Sequence, residues 1–324
     1  MNDSTPPSLA LPDLADIRAA RLRIAAHVHL TPVFTSRSLD EAAGAHIFWK
    51  CENLQKVGAF KARGACNAVF SLAADAASRG VVTHSSGNHG AALAYAAQRR
   101  GIPAHVVMPE NAPKIKVANV RGFGAHVHFC APTLAAREET CASLARTTGA
   151  TLVHPYDDVA VIAGQGTATL ELLDAIPDLD AIVAPVGGGG LLSGTAIAAK
   201  GVRPQIDVLG AEPAGADDAA RSFATGILQV MPHPQTIADG LRGALSERTL
   251  RALRTHVAAI GTCSEEAIVA AMRMTWERMK IVIEPSSAVV LAAMLEGKLA
   301  IKDRRVGVIV TGGNVDLDRL PWQR

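Results

Sequence analysis

Lys61 lies in a stretch, Asn53 to Gly64, whose residue types suit one kind of chemistry. A bulky ring, Phe60, precedes the lysine, Gly58 and Ala59 come before the ring, and Arg63 and Gly64 follow. A lysine so placed can be held close to a flat aromatic cofactor. Desolvation there lowers its pKa, and a neutral amine can form a Schiff base. Alone, the lysine reads first as a solvated surface charge, as most lysines are. Three loops further along turn the reading toward chemistry. Gly187, Gly188, Gly189 and Gly190 stand between an apolar run and a helix-forming run. Four glycines let the backbone approach an anion closely, and the positive end of the following helix favours a phosphate. The spacing is neither Gly-x-Gly-x-x-Gly nor a Walker loop, so neither a dinucleotide nor ATP is inferred. His84 to Gly90 has the same placement and offers hydroxyls, an amide and backbone N–H groups. That set suits a carboxylate. Thr311, Gly312, Gly313 and Asn314 end the last apolar run, with a hydroxyl that can meet a ring nitrogen.

Loops of this kind need a parallel sheet behind them. From about Gly80 the sequence alternates short apolar runs with helical patterns. Strands are expected at 81–83, 104–108, 125–129, 151–153, 181–186, 208–211 and 306–310. Helices are expected at 91–100, 113–121, 135–147, 166–175, 191–200, 264–280 and 288–295. Before them, Asp13 caps a helix to His27 with Leu14, Ile17, Leu22 and Ile24 apolar. Residues 31–34 are extended, 47–50 form a strand, and a helix starts at the lysine. The alternation means α/β architecture with parallel sheets covered on both faces, and ligands at the carboxyl ends of the strands. Met1–Pro12 reads as frayed.

Composition removes other classes. The chain has 324 residues, long for a single core, with 49% hydrophobic residues. Lys plus Arg is 32 and Asp plus Glu is 30, a net charge of +2 that points to neither nucleic acid nor an anionic membrane. The five cysteines are scattered without a Cys-x-x-Cys pair, as for reduced thiols. Without a signal peptide or a membrane-spanning run, the cytoplasm is the expected compartment.

Taken together the pieces resemble the fold type II pyridoxal-phosphate enzymes, specifically the serine/threonine dehydratase and serine racemase group. The resemblance runs from about His29 to Trp322. It is carried by Gly58–Gly64, Ser85–Gly90, Val161–Gly166, Pro185–Gly190, Thr236–Gly240, Trp276–Lys280, Glu284–Pro285 and Gly312–Asp316. It implies a tryptophan synthase β-like fold of two doubly wound parallel-sheet domains. The expected division is a large pyridoxal-phosphate domain at 1–79 and 158–324 and a small substrate-gripping one at 80–157. It also implies a homodimer. Residue by residue, Lys61 would hold the cofactor as a Schiff base and remove the α-proton. Phe60 would pack beside the ring, and Gly187, Gly188, Gly189, Gly190 and the Leu191 amide would cradle the phosphate. Thr311 would face the pyridine nitrogen. Ser85, Ser86, Gly87, Asn88 and His89 would grip the substrate carboxylate, with Asn88 also near the cofactor and Ser86 as the opposite-face acid/base. Glu212, Asp218 and the Ala216 carbonyl would hold Mg²⁺, Ca²⁺ or Mn²⁺, a structural site of hard oxygen ligands.

The activity implied is loss of water from a β-hydroxy amino acid, giving a 2-oxo acid and ammonia. A Thr partner does not support a protonated pyridine nitrogen as a carboxylate would, which favours prompt loss of the β-hydroxyl. An amino acid racemase on the same scaffold is the alternative, and a non-catalytic pyridoxal-phosphate-binding protein is a third. Arg137 matches an arginine that meets the second carboxylate of dicarboxylic ligands, which makes 3-hydroxyaspartate a plausible substrate beside serine and threonine. Tyr156 departs from the group: serine racemase has an asparagine there. The nucleotide site of mammalian serine racemase is poorly matched at Ala91, Phe123, Arg37 and Val57, so no activation by ATP is expected.

Overall fold

The computed structural model describes residues 9–85, 87–112 and 114–323. The residues read as frayed at Met1–Ser8, Ser86, and the expected helix start at Pro113 lie outside them. Helix α1 (Leu14–Ile24) is opened by Asp13, which accepts from the Asp16 N–H while Asp16 returns the bond. After β1 (Val33–Phe34), α2 (Arg37–Ala43) and β2 (His46–Cys51), two short 3-10 turns lead into α3 (Lys61–Ser71) and α4 (Ala74–Ser78). There follow β3 (Val81–His84), α5 (Asn88–Arg100), β4 (Ala104–Pro109), α6 (Lys114–Gly122), β5 (His126–Cys130), α7 (Leu134–Thr148) and β6 (Thr151–Leu152). Next come α8 (Val159–Ala175), β7 (Ala181–Pro185), α9 (Gly190–Val202), β8 (Asp207–Pro213), α10 (Asp218–Thr225) and α11 (Glu247–His256). The chain closes with β9 (Ala259–Cys263), α12 (Glu265–Met279), α13 (Pro285–Leu295) and β10 (Arg305–Val310).

Six strands form one sheet in the order β1-β2-β10-β7-β8-β9, and four form a second, β5-β4-β3-β6. The pairs are parallel, apart from the antiparallel edge pair β1–β2. This is the expected two-sheet α/β architecture. Every residue of β7 is buried, which is why it reads as an unbroken apolar run rather than an alternating one. Helices α12 and α13 cover one face of the larger sheet, and α9 and α11 the other. Both faces of the smaller sheet are packed too, against α5 on one side and α7 on the other.

Several helices begin earlier than expected, and two of them, α5 and α8, matter to the site. Helix α5 starts at Asn88, so Asn88, His89 and Gly90 form its first turn rather than a loop. The loop folds back on that turn: a Cβ on Gly90 would lie 2.6 Å from the Ser85 carbonyl. Helix α8 starts at Val159, capped by Asp158, which places Gly164 and Gly166 inside a helix. Those glycines let three helices touch. A Cβ on Gly164 would meet the Arg63 carbonyl and Gly64 of α3 at 2.6 Å, and one on Gly166 the Gly194 carbonyl of α9 at 2.7 Å. Leu22, read among the apolar positions of α1, is 81% exposed. Elements α2, α4, α10, α11 and β9 were not foreseen.

Candidate active site

Lys61 is the first residue of α3, and the chain just before it is zipped to the loop after β10. The Phe60 N–H donates to the Thr311 carbonyl at 2.9 Å, and the Gly313 N–H to the Gly58 carbonyl at 3.0 Å. Gly58 (φ +68°) is needed here, since a Cβ would lie 2.6 Å from Asn314 Oδ1. Behind the lysine, a buried ion cluster anchors the helix. Arg63 donates to Glu52 and to Glu171, and Lys50 also meets Glu171. The Lys61 amine lies 5.1 Å from the Phe60 ring centre and donates to the Pro155 carbonyl at 2.8 Å. Burial pulls it down to about 8, against the opposing charge of Glu284. A fraction of the amine is therefore neutral near neutral pH, as a nucleophile or base requires.

Next to Pro155, Tyr156 lies across the glycine turn. A Cβ on Gly188 would reach its ring at 2.4 Å, and one on Gly190 its backbone at 2.9 Å. Gly187 and Gly189 take positive φ, +52° and +84°. No side chain caps the start of α9, so its first-turn N–H groups are left for an anion. Burial pushes the Tyr156 phenol up to about 12, so it stays protonated and narrows the turn as a neutral group.

Asn88 opens α5, with Gly87 before it and the Gly87 N–H on the Ser85 hydroxyl at 3.3 Å. Both oxygens of Glu284 accept from Asn88 Nδ2, at 2.9 and 3.1 Å. His89 is 2% exposed; its Nε2 faces the Val153 carbonyl at 3.2 Å, and its Nδ1 has no partner. Burial, then Lys61, hold this imidazole well below its usual range, so it is neutral. Thr311 is 3% exposed, and its hydroxyl lies 2.8 Å from that of Ser287. Lys61, Phe60, Asn88 and Thr311 are thus one connected set, joined through Glu284 and the loop after β10. Arg137 stands apart in the first turn of α7, beside His84, whose imidazole is lowered by burial and then by the Arg137 charge. Lys280 lines a cavity of about 360 Å³ with Trp276 and Trp322.

Two residues of this set had no role assigned from sequence. Glu284 precedes a proline at a helix start, which reads as an ordinary cap signal; its side chain makes no cap bond and turns to Asn88 instead. Ser287 carries no local signal at all.

The expected metal residues lie elsewhere, at the end of β8 and the start of α10. Glu212 Oε2 accepts from the Ala220 N–H at 2.8 Å, while Oε1 is buried without a partner. Burial pushes the Glu212 carboxyl up to about 8, and Asp218 adds to it. Among the described residues no three His, Cys, Asp or Glu side chains converge as metal ligands.

A family model described as "Pyridoxal-phosphate dependent enzyme" matches residues 24–312. The chain belongs to this family. It is 50% identical over 312 residues to the beta-hydroxyaspartate dehydratase of Paracoccus denitrificans, covering 96% of this chain and 99% of the relative. It is 49% identical over 316 residues to a serine racemase of Dictyostelium discoideum, covering 96% and 98%. The solved structure of maize serine racemase superposes with a TM-score of 0.93 at 47% identity, covering 95% of each chain. The protein is a fold type II pyridoxal-phosphate enzyme. The residues present fit that cofactor. The lowered Lys61 amine offers the Schiff base, the uncapped glycine start of α9 offers a phosphate cradle, and Phe60 and Thr311 supply a ring face and a buried hydroxyl.

Proposed function

We propose that the protein eliminates water from a β-hydroxy amino acid, giving a 2-oxo acid and ammonia, with 3-hydroxyaspartate first among the substrates. The observation that carries this is the Lys61 amine, lowered to about 8 between Phe60 and Glu284. Pyridoxal phosphate, when bound, supplies the electron sink that acidifies the α-carbon. Lys61 anchors it and takes the α-proton. Gly187, Gly188, Gly189, Gly190 and the Leu191 amide hold the phosphate, and Thr311 the ring nitrogen. Ser85, Gly87, Asn88 and His89 bind the α-carboxylate at the start of α5. There the neutral His89 adds no second cation beside Lys61. Arg137, beside His84, takes the second carboxylate as a charge-assisted pair. The relative named beta-hydroxyaspartate dehydratase, at 50% identity, supports that choice.

Racemisation on the same site is the second reading, supported by the near-equal identity, 49%, to a serine racemase. It needs a proton donor on the face opposite Lys61, the role proposed for Ser86. Glu212, Asp218 and the Ala216 carbonyl form the proposed Mg²⁺ site, where a cation would relieve the unpartnered Glu212 oxygen. The compartment proposed is the cytoplasm, in keeping with five buried free cysteines. Among the described residues no helix is long and apolar enough to cross a membrane. The homodimer follows the resemblance, and light scattering measures it. The test of function is 2-oxo acid release from the isomers of 3-hydroxyaspartate, L-serine, L-threonine and phenylserine in parallel. Preference for one 3-hydroxyaspartate isomer supports the reading. No oxo acid from any substrate removes it.

A further inference from the structure

Glu284 stands just before α13 and is 4% exposed. Its carboxylate accepts twice from Asn88 Nδ2. Asn88 belongs to the segment that builds the four-stranded sheet, and Glu284 to the segment that builds the six-stranded one, so the contact ties the two together. The other side of the Asn88 carboxamide is fixed as well. Its Oδ1 accepts from Asn314 Nδ2 at 2.9 Å, and the same nitrogen reaches the Val57 carbonyl at 2.8 Å. With two carbonyl oxygens before it, the Asn314 amide has one satisfactory orientation. That orientation sets Asn88, and the polarity of the chain ends on Glu284, the member that accepts without donating. The backbone beneath the carboxylate is fixed as well. The Glu284 N–H donates to the Gly312 carbonyl at 3.0 Å, and glycine at 312 leaves room for the carboxylate, since a Cβ there would lie 2.7 Å from Oε1.

We propose that Glu284 is a positioning residue whose ionised carboxylate both fixes the Asn88 carboxamide and sustains the charge of the Lys61 amine, so that one proton on Glu284 loosens both. This rests on the reading of Lys61 as the cofactor lysine. The charged groups that face Glu284 are Lys61, Asp239 and Lys116, and the last two are paired with each other. A protonated Glu284 turns one oxygen into a donor, so half of the double contact with Asn88 is lost. The site holds this charge at a cost. Burial, then Asp239, push the carboxyl up to about 7, above the ordinary carboxyl range. The folded chain therefore binds this proton more tightly than the unfolded one. Stability falls as pH rises from the ordinary carboxyl range to about 7. A carboxylate kept for a stabilising ion pair behaves in the opposite sense.

The experiment uses cofactor-free protein, wild type and Glu284→Gln. Thermal midpoints are read from about pH 5 to about pH 8.5, a range that spans the titration. The rate of pyridoxal phosphate uptake is followed by absorbance over the same range. The wild-type midpoint should fall with rising pH more steeply than that of the variant. Wild-type uptake should rise with an inflection near 8. In Glu284→Gln the inflection should move down by about one unit, making uptake at pH 7 roughly fivefold faster, because the amine has lost its counter-charge. Parallel thermal curves together with an unmoved inflection overturn the proposal. Glu284→Asp keeps the charge on a shorter arm: the inflection should stay near that of wild type, and a full downward shift overturns the charge role even where Glu284→Gln does not fold. Wild-type protein that takes up no cofactor overturns the Lys61 reading instead, and the thermal arm still decides the Glu284 carboxyl.

Discussion

Glu171→Gln tests how Lys61 is held in place. Glu171 of α8 accepts from Arg63 at 2.7 Å through each oxygen, and from Lys50 at 2.6 Å. Glu52 takes the remaining side of the guanidinium at 2.7 and 2.8 Å. Arg63, Glu52 and Lys50 are at most 1% exposed and Glu171 is 8% exposed, so two cations and two anions balance in a dry space. Removing one anion leaves a buried positive charge without its partner. Breaking such a pair costs about 3–5 kcal/mol, several times a surface pair. For a chain of this size about 2 °C of thermal midpoint goes with each kcal/mol, so a drop of roughly 6–10 °C is expected. The double variant Lys50→Met with Glu171→Met leaves Arg63 and Glu52 as a balanced pair and should recover at least half of the loss, since apolar replacement of a buried ion pair is often neutral. The assay is thermal unfolding of cofactor-free protein by circular dichroism. A single variant within about 1 °C of wild type would refute the reasoning. So would a double variant less stable than the single one, because neutrality would then not be what the cluster supplies.

Three further outcomes follow from the same geometry. Lys61→Ala should release no measurable 2-oxo acid, a loss of at least about 10³-fold, while its cofactor-free midpoint stays within about 2 °C of wild type; turnover at the wild-type rate would revive a non-catalytic lysine. Gly190→Ala places a Cβ 2.9 Å from the Tyr156 backbone, which cannot swing away, so cofactor affinity by fluorescence titration should fall at least about tenfold. Mg²⁺ at about a hundred times its dissociation constant should stabilise the wild type by about 2.7 kcal/mol. Chelator should reverse this, and Glu212→Ala should abolish it; an unmoved wild-type midpoint removes the metal site.

What the sequence showed depended on whether a residue's task is local. The glycines at 187–190 were legible because a strand, a glycine turn and a helix in succession form a local pattern, and Asp13 because an acid opening an apolar stripe is one too. Gly90 and Gly164 misled for the opposite reason. Glycine within a pattern suggests a loop, but here it marks helices that approach other backbone. The start of α8 was readable from Asp158, a proper cap. Strand β9 was hidden by the Gly261 at its centre. Leu22 shows that an apolar residue in a helix need not face inward. The ion cluster of Lys50, Glu52, Arg63 and Glu171 joins residues up to 121 positions apart, and no periodicity announces it. Glu284 was visible as a helix-start residue, but its burial and its bond to Asn88, 196 positions away, belong to the fold.

The central claim is that Lys61 drives elimination rather than inversion at the α-carbon. Its most direct measurement is the partition of a single substrate between 2-oxo acid and enantiomer, by oxo acid assay and chiral chromatography on one reaction of the preferred 3-hydroxyaspartate isomer. The account predicts oxo acid as the main product, with Arg137→Ala lowering kcat/KM on that substrate by roughly ten- to a hundredfold and on L-serine by less than about twofold. Enantiomer as the main product, with little oxo acid, would contradict it and make the protein a racemase.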